Sequence, residues 1–166
     1  MSYKKSLSYK SFIKSKYSCI KHTNYFPIYD QLFKQYRGKN IIFVEIGIFS
    51  GGSLFMWRNF FGTKAKIIGI DLNPASKRFE KYGFQIFIGD QSKKSFWDSF
   101  FKKVGKVDII LDDGGHTNYQ QIITTNKCIP MIKDEGKLVI EDVHTSFIKQ
   151  NWYNPSKYSF INYTKK

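Results

Sequence analysis

Short apolar runs alternate along the chain with segments whose large side chains recur every three or four positions, the order expected of a parallel sheet with crossover helices. Residues 41–46, 66–71, 84–88, 107–111 and 137–140 predict five strands, the last opened by the turn Asp134-Glu135-Gly136. Helices are predicted over 52–61, over 96–104, where Phe96, Phe100 and Phe101 fall on one side, and over 118–132. Ahead of the sheet, Tyr29, Leu32, Phe33 and Tyr36 share one helical face and Pro27 suits its first turn. This helix is expected to cover the sheet edge near the ligand crevice. The fold class that follows is α/β and doubly wound, with a mainly parallel sheet of about five strands and no internal repeat.

A length of 166 residues fits one domain. With 42% hydrophobic and 18% aromatic residues the chain can fill a core. The expected organisation is a basic arm over 1–21, the ligand-binding domain over 22–147 and a Tyr/Asn/Lys-rich tail over 148–166. The net charge of +14 raises the question of nucleic acid, but only three of the 27 basic residues are arginine, the side chain best suited to phosphate and base recognition. A nucleic-acid partner is therefore disfavoured, and the six lysines from Lys4 to Lys21 read as a solvated or loosely ordered arm. Cys19 and Cys128 lie far apart without metal-ligand spacing and read as reduced thiols. No run approaches the roughly 18 apolar residues of a membrane span, and no apolar core for a signal peptide follows the N-terminal lysines. A cytoplasmic protein without a membrane partner is expected.

Two clusters carry candidate chemistry. In Glu45-Ile46-Gly47-Ile48-Phe49-Ser50-Gly51-Gly52-Ser53 a glycine turn joins a buried strand to a helix, with Gly51 and Gly52 opening the helix N-terminus to a nucleoside. Asp71 ends the second strand 20 residues beyond Gly51, where doubly wound folds place a carboxylate for ribose hydroxyls. The spacing is not G-x-G-x-x-G. Glu45 at the strand tip would repel a pyrophosphate and suits a cationic ligand, such as the sulfonium and ammonium groups of S-adenosylmethionine (SAM). A glycine turn alone is equally compatible with a purely structural role. Asp90 and Gln91 follow the third strand, positioned either for an adenine amino group or, for Asp90, as a helix N-cap.

The second cluster is Asp112-Asp113-Gly114-Gly115-His116 at the end of strand four and Glu141-Asp142-Val143-His144 at the end of strand five. On neighbouring strands these would crowd four carboxylates and two histidines into one crevice, which is costly without a compensating cation. Mg²⁺ or another hard divalent ion fits oxygen donors at Asp113, Glu141 and Asp142. His116, three residues from Asp113 on a glycine-flexed turn, can accept a proton from a hydroxyl.

These motifs, with Gly69-Ile70-Asp71, Gly89-Asp90-Gln91, Leu54-Phe55-Met56-Trp57, His22-Thr23-Asn24-Tyr25 and Ile140-Glu141-Asp142-Val143-His144-Thr145-Ser146, resemble the Mg²⁺-dependent sugar O-methyltransferases of macrolide biosynthesis, the macrocin and mycinamicin enzymes. The resemblance spans residues 22–147. It implies a Rossmann-like class I methyltransferase with SAM held by Glu45, Gly47, Gly51, Ser53, Asp71, Asp90 and Gln91 and with Asp112 near its methionine end. It further implies Mg²⁺ on Asp113, Glu141 and Asp142, and His116 as general base toward a hydroxyl of a sugar or glycosylated small molecule. Gly115 stands where the family often has serine. The class continues past strand five into a helix and an antiparallel strand pair, for which the 24 residues after Asp142 are too few. The expectation is a sheet lacking these strands, in a fragment or with a partner subunit, such as a second copy, over the edge. Two rival readings are an RNA methyltransferase and a SAM-binding module without catalysis.

Overall fold

The computed structural model describes residues 2–148 and 159–165. Among these, β1 (Ile42–Ile46), β2 (Lys66–Asp71), β3 (Gln85–Ile88), β4 (Val107–Asp112) and β5 (Ile132–Ile140) form one sheet in the order β3-β2-β1-β4-β5. Every neighbouring pair is parallel. The order reverses between β1 and β4, the switch point at which doubly wound sheets open a ligand crevice beyond their carboxyl ends. The expected fold class is thus observed.

Helices α1 (Leu7–Phe12), α2 (Tyr25–Phe33) and α3 (Gly52–Phe61) precede β2, and α4 (Lys94–Val104), α5 (Asn118–Cys128) and α6 (Phe160–Tyr163) follow β3. Strand alternation divides the core. Phe43, Ile67, Ile109 and Leu111 face Phe33, Trp57 and Phe61 on one side of the sheet. Val44, Ile46, Ile68 and Ile110 face Trp97, Phe100 and Ile123 on the other. Burial on both faces of β1, β2 and β4 explains why these strands read as continuous apolar runs rather than as alternating ones.

The differences from the sequence expectations are local. Helix α5 stops at Cys128 because Pro130 cannot continue it, and residues 129–131 form a 3-10 turn. Strand β5 starts at Ile132, so the turn around Glu135, whose φ is +63°, lies inside it as an irregularity in pairing with β4. A 3-10 helix at Pro74–Tyr82 went unread, since its segment buries only Ser76 and Phe79. The basic arm is not loosely ordered over its helical part. The α1 amides of Leu7 and Ser8 donate to the Asp30 carboxylate at 2.6 and 2.8 Å, and Ser8 Oγ donates to the Phe26 carbonyl at 2.9 Å. Most of the expected tail lies outside the described residues; α6 docks through the Phe160 amide, which donates to Asn118 Oδ1 at 2.7 Å.

Gly47, just past β1, has φ +80°, and a Cβ there would stand 2.2 Å from the Asp113 carbonyl oxygen. Only glycine lets the loops after β1 and β4 touch. Gly47→Ala should cost about 2–4 kcal/mol from left-handed strain and overlap, measured by urea unfolding; a loss too small to resolve would show that the loops do not meet. Trp57 is fully buried between Tyr29, Phe33, Phe43 and Phe61. Its replacement by alanine should cost about 3–5 kcal/mol in the same assay.

Candidate functional site

The strand parity that divides the core also sorts the acids. Glu45 lies on the α1–α3 side of the sheet. Asp112 lies on the α4–α5 side, so the next residue, Asp113, returns to the side of Glu45. Beyond β5, Glu141 comes to that side as well. The ladder continues past the strands, with the Asp113 amide donating to the Ile46 carbonyl at 3.0 Å and the Glu141 amide to the Asp112 carbonyl at 2.8 Å. Glu45 is level with Leu111, one alternation below Asp113 and Glu141, so three carboxylates converge at the switch point on one face.

What lies between them is the side chain of Lys21. Its Nζ is 2.6 Å from Asp113 Oδ2, 3.2 and 3.3 Å from the two oxygens of Glu141, and 3.5 Å from Glu45 Oε1. The Lys21 side chain is 1% exposed. Burial favours the neutral amine, but the charges of Glu141, Glu45 and Asp113 outweigh it and hold its pKa well above the ordinary range. Lys21 had been counted with the solvated arm; here it is the buried counter-charge of the cluster.

Each acid is also held by neutral donors. Glu45 is fully buried and accepts from Ser53 Oγ at 2.6 Å and Trp57 Nε1 at 3.1 Å. Burial raises its pKa, opposed by Lys21 and by these two bonds. Tyr29 donates its hydroxyl to Glu141, whose pKa burial likewise raises against the pull of Lys21. One helical turn earlier, Tyr25 donates to Asp142 Oδ1 at 2.7 Å. Helix α2 thus reaches the carboxyl edge of β5 with two phenols. Ser53, Trp57, Tyr25 and Tyr29 form a donor shell; the motifs include Trp57 and Tyr25 but assign a site role only to Ser53, although the i, i+4 spacing of the two tyrosines is a usable signal.

The second group is partly exposed. His116 Nε2 lies 3.8 Å from both Asp113 Oδ1 and Asp142 Oδ2, and one ligand atom from each of these three residues lies within 4.8 Å of the others. His116 and Asp142 both have left-handed backbones, with φ +58° and +54°. Thr145 Oγ braces this turn by donating to the His116 carbonyl at 2.8 Å. His22 and His144 also approach Asp142, at 3.7 and 4.0 Å, so all three histidines of the chain gather about one carboxylate. Glu141 faces inward to Lys21 and Tyr29 instead of joining the open group.

A cavity of about 480 Å³ joins the two groups, lined by Lys21, Gly47, Asp71, Asp113, His116 and Asp142 among others. Asp71 spans the glycine turn: Oδ2 accepts from the Ile48 amide at 3.2 Å and Oδ1 from the Asn73 amide at 2.8 Å. Gly51, at φ +78°, caps α3, and a Cβ there would strike the Phe79 ring at 2.2 Å. A smaller adjoining cavity of about 190 Å³ is lined by Gly47, Asp71, Gly89 and Gln91. The Gln91 side chain is itself engaged. Its Nε2 donates to both oxygens of Asp112 at 3.0 Å and to Thr124 Oγ at 3.1 Å, while its Oε1 accepts from the Gly115 amide at 2.9 Å. Asp112 is buried behind this network; burial raises its pKa against the bonds from Gln91 and Gly114. Asp90 accepts from the Ser92 amide at 2.8 Å, a local turn ahead of α4.

No protein-family model matches the chain. Among curated proteins it is similar to mycinamicin VI 2''-O-methyltransferase of Micromonospora griseorubida, 32% identical over 128 residues that make up 73% of this chain and 32% of that protein. Demethylmacrocin O-methyltransferase of Streptomyces fradiae is likewise 32% identical over 128 residues, 73% of this chain and 32% of that protein. The chain spans about a third of the length of these relatives. Among solved structures, the MycE methyltransferase from the mycinamycin biosynthetic pathway, in complex with Mg, SAH and mycinamycin VI, superposes with a TM-score of 0.80 at 27% identity, covering 96% of this chain and 45% of that one. By fold and by sequence, therefore, this chain is a Rossmann-like domain of the class I methyltransferase type, similar to the mycinamicin VI and demethylmacrocin O-methyltransferases.

Proposed function

We propose that this domain transfers a methyl group from SAM to a hydroxyl of a sugar or glycosylated small molecule, with a divalent ion, Mg²⁺ by preference, at the acceptor side. The observation that carries the reading is the shared cavity. Asp71 and the Gly47 turn open on it from one side of the switch point, and Asp113, Asp142 and His116 from the other. The relatives that support it are O-methyltransferases by name, one of them of a rhamnosyl compound, which does not favour an RNA methyltransferase or a non-catalytic binding module.

The donor set suits these ligands. Asp71 can accept from ribose hydroxyls while it keeps the Ile48 amide, and Gly47 and Gly51 give a nucleoside close approach to backbone. Glu45, Ser53, Asp90, Gln91 and Asp112 belong to this donor half as well. Asp112 and Gln91 support it by fixing the loop after β4, and Glu45 supplies negative charge toward a cationic ligand. Asp113 and Asp142 offer hard oxygen donors to an octahedral ion, with Glu141 behind them. When bound, SAM supplies an activated methyl group and the divalent ion lowers the pKa of an acceptor hydroxyl. His116 holds its imidazole over Asp113 and Asp142 and takes the hydroxyl proton at Nε2. Tyr25 orients Asp142 for that contact, and the left-handed turn at His116 aims the ring into the cavity.

Methyl transfer to a panel of glycosylated acceptors, followed by mass spectrometry with and without a chelator, tests the activity; transfer that survives chelation would remove the ion from the reading. His116→Ala should lower turnover about 10²- to 10⁴-fold while calorimetry finds SAM affinity nearly unchanged, and equal loss of both would reject its role as base. Asp71→Ala should instead weaken SAM binding by about tenfold or more, an effect seen directly in the calorimetric dissociation constant.

A further inference from the structure

The ion site proposed above has a competitor built into the chain. Asp113 divides its two oxygens, Oδ1 facing His116 and Oδ2 contacting Lys21 at 2.6 Å. Glu141 is committed further, with both oxygens within 3.3 Å of the ammonium and the Tyr29 hydroxyl on one of them. A hard divalent ion binds carboxylate oxygen at roughly 2.0–2.6 Å. An ion touching both Asp113 and Glu141 would have to enter the space that Lys21 Nζ fills, against its positive charge.

The residues on either side of Lys21 are not themselves buried. Its neighbours Ile20, His22, Thr23 and Asn24 are exposed, and no regular element runs through residues 18–22. The segment is anchored farther back, where Ser15 Oγ donates to the Gly52 carbonyl at 2.7 Å and the Tyr17 and Tyr82 hydroxyls share a hydrogen bond of 2.6 Å. The flexible four-carbon stem of Lys21 can therefore swing its ammonium out along the cavity it lines without undoing those anchors.

We propose that Lys21 is the resident counter-cation of the ion site, neutralising Asp113 and Glu141 until a divalent ion displaces its ammonium from between them. The inference rests on the ion reading of the preceding subsection. Three carboxylates brought together by strand parity would otherwise repel one another and loosen the loops after β4 and β5. Lys21 keeps them in place for the incoming ion and sets how much ion is needed to take them.

The test is Mn²⁺ binding to the full chain, with free Mn²⁺ counted by electron paramagnetic resonance. Lys21→Gln should bind Mn²⁺ about tenfold more tightly than the unchanged protein, because the competing state is removed. Equal or weaker binding by the variant, alongside measurable binding by the unchanged protein that Asp142→Asn abolishes, would overturn the role of Lys21 and leave the ion site intact. No binding by either protein, or binding indifferent to Asp142→Asn, would overturn the ion site and the competitor together. A second measurement needs no variant at Lys21. Acetylation of lysines by acetic anhydride, mapped by mass spectrometry, should find Lys21 protected without Mg²⁺ and modified when Mg²⁺ is saturating, whereas protection that Mg²⁺ leaves unchanged would overturn the proposal.

Discussion

Like charges brought together out of water are the constraint on which this structure is built. Parallel strands with acids at or just beyond their carboxyl ends place alternate carboxylates on the same face of the sheet, and here three reach one ammonium. A fold can tolerate that only by supplying positive charge and hydrogen-bond donors at the same place. Lys21 supplies the charge, and Trp57, Ser53 and Tyr29 the donors. These come from the segment before α2, from α2 itself and from α3, so the N-terminal third of the chain is tied to the carboxyl edge of the sheet by electrostatics as well as by packing.

The two faces of the sheet treat their acids differently. On the α4–α5 face Asp112 accepts from a glutamine amide and a backbone amide, and is shut away by Gln91 and Thr124. That network ties the loop after β3 to the loop after β4. On the opposite face Asp113 and Glu141 border a cavity and share one ammonium with the buried Glu45.

Much of this was legible in the sequence because it depends on period. The central strands β1, β2 and β4 are apolar runs buried on both faces, and the glycine turn, Asp71 and the two acid pairs sit at strand ends where the alternation of elements puts them together. Lys21 was not legible from its surroundings, since a lysine in a basic, acid-free stretch averages into a solvated arm. The signal was at the other end of the interaction. Counting parity along β1, β4 and β5 puts Glu45, Asp113 and Glu141 on one face and demands a cation from outside the sheet. Gln91 was read as a ligand donor, and the sequence could not disclose that a buried Asp112 and the Gly115 amide would take up its amide group. The 3-10 helix at Pro74–Tyr82 offered too few buried side chains to leave a pattern.

The contact at Gly47 reaches beyond its own turn. A Cβ at Gly47 would stand 2.2 Å from the Asp113 carbonyl oxygen, so the loops after β1 and β4 approach as closely as main chain allows. As long as position 47 stays glycine, the separation between the β1 turn and the acids of β4 is set by peptide geometry. Variation in what the domain accepts must then arise in the outer wall of the cleft, around a spacing that stays constant.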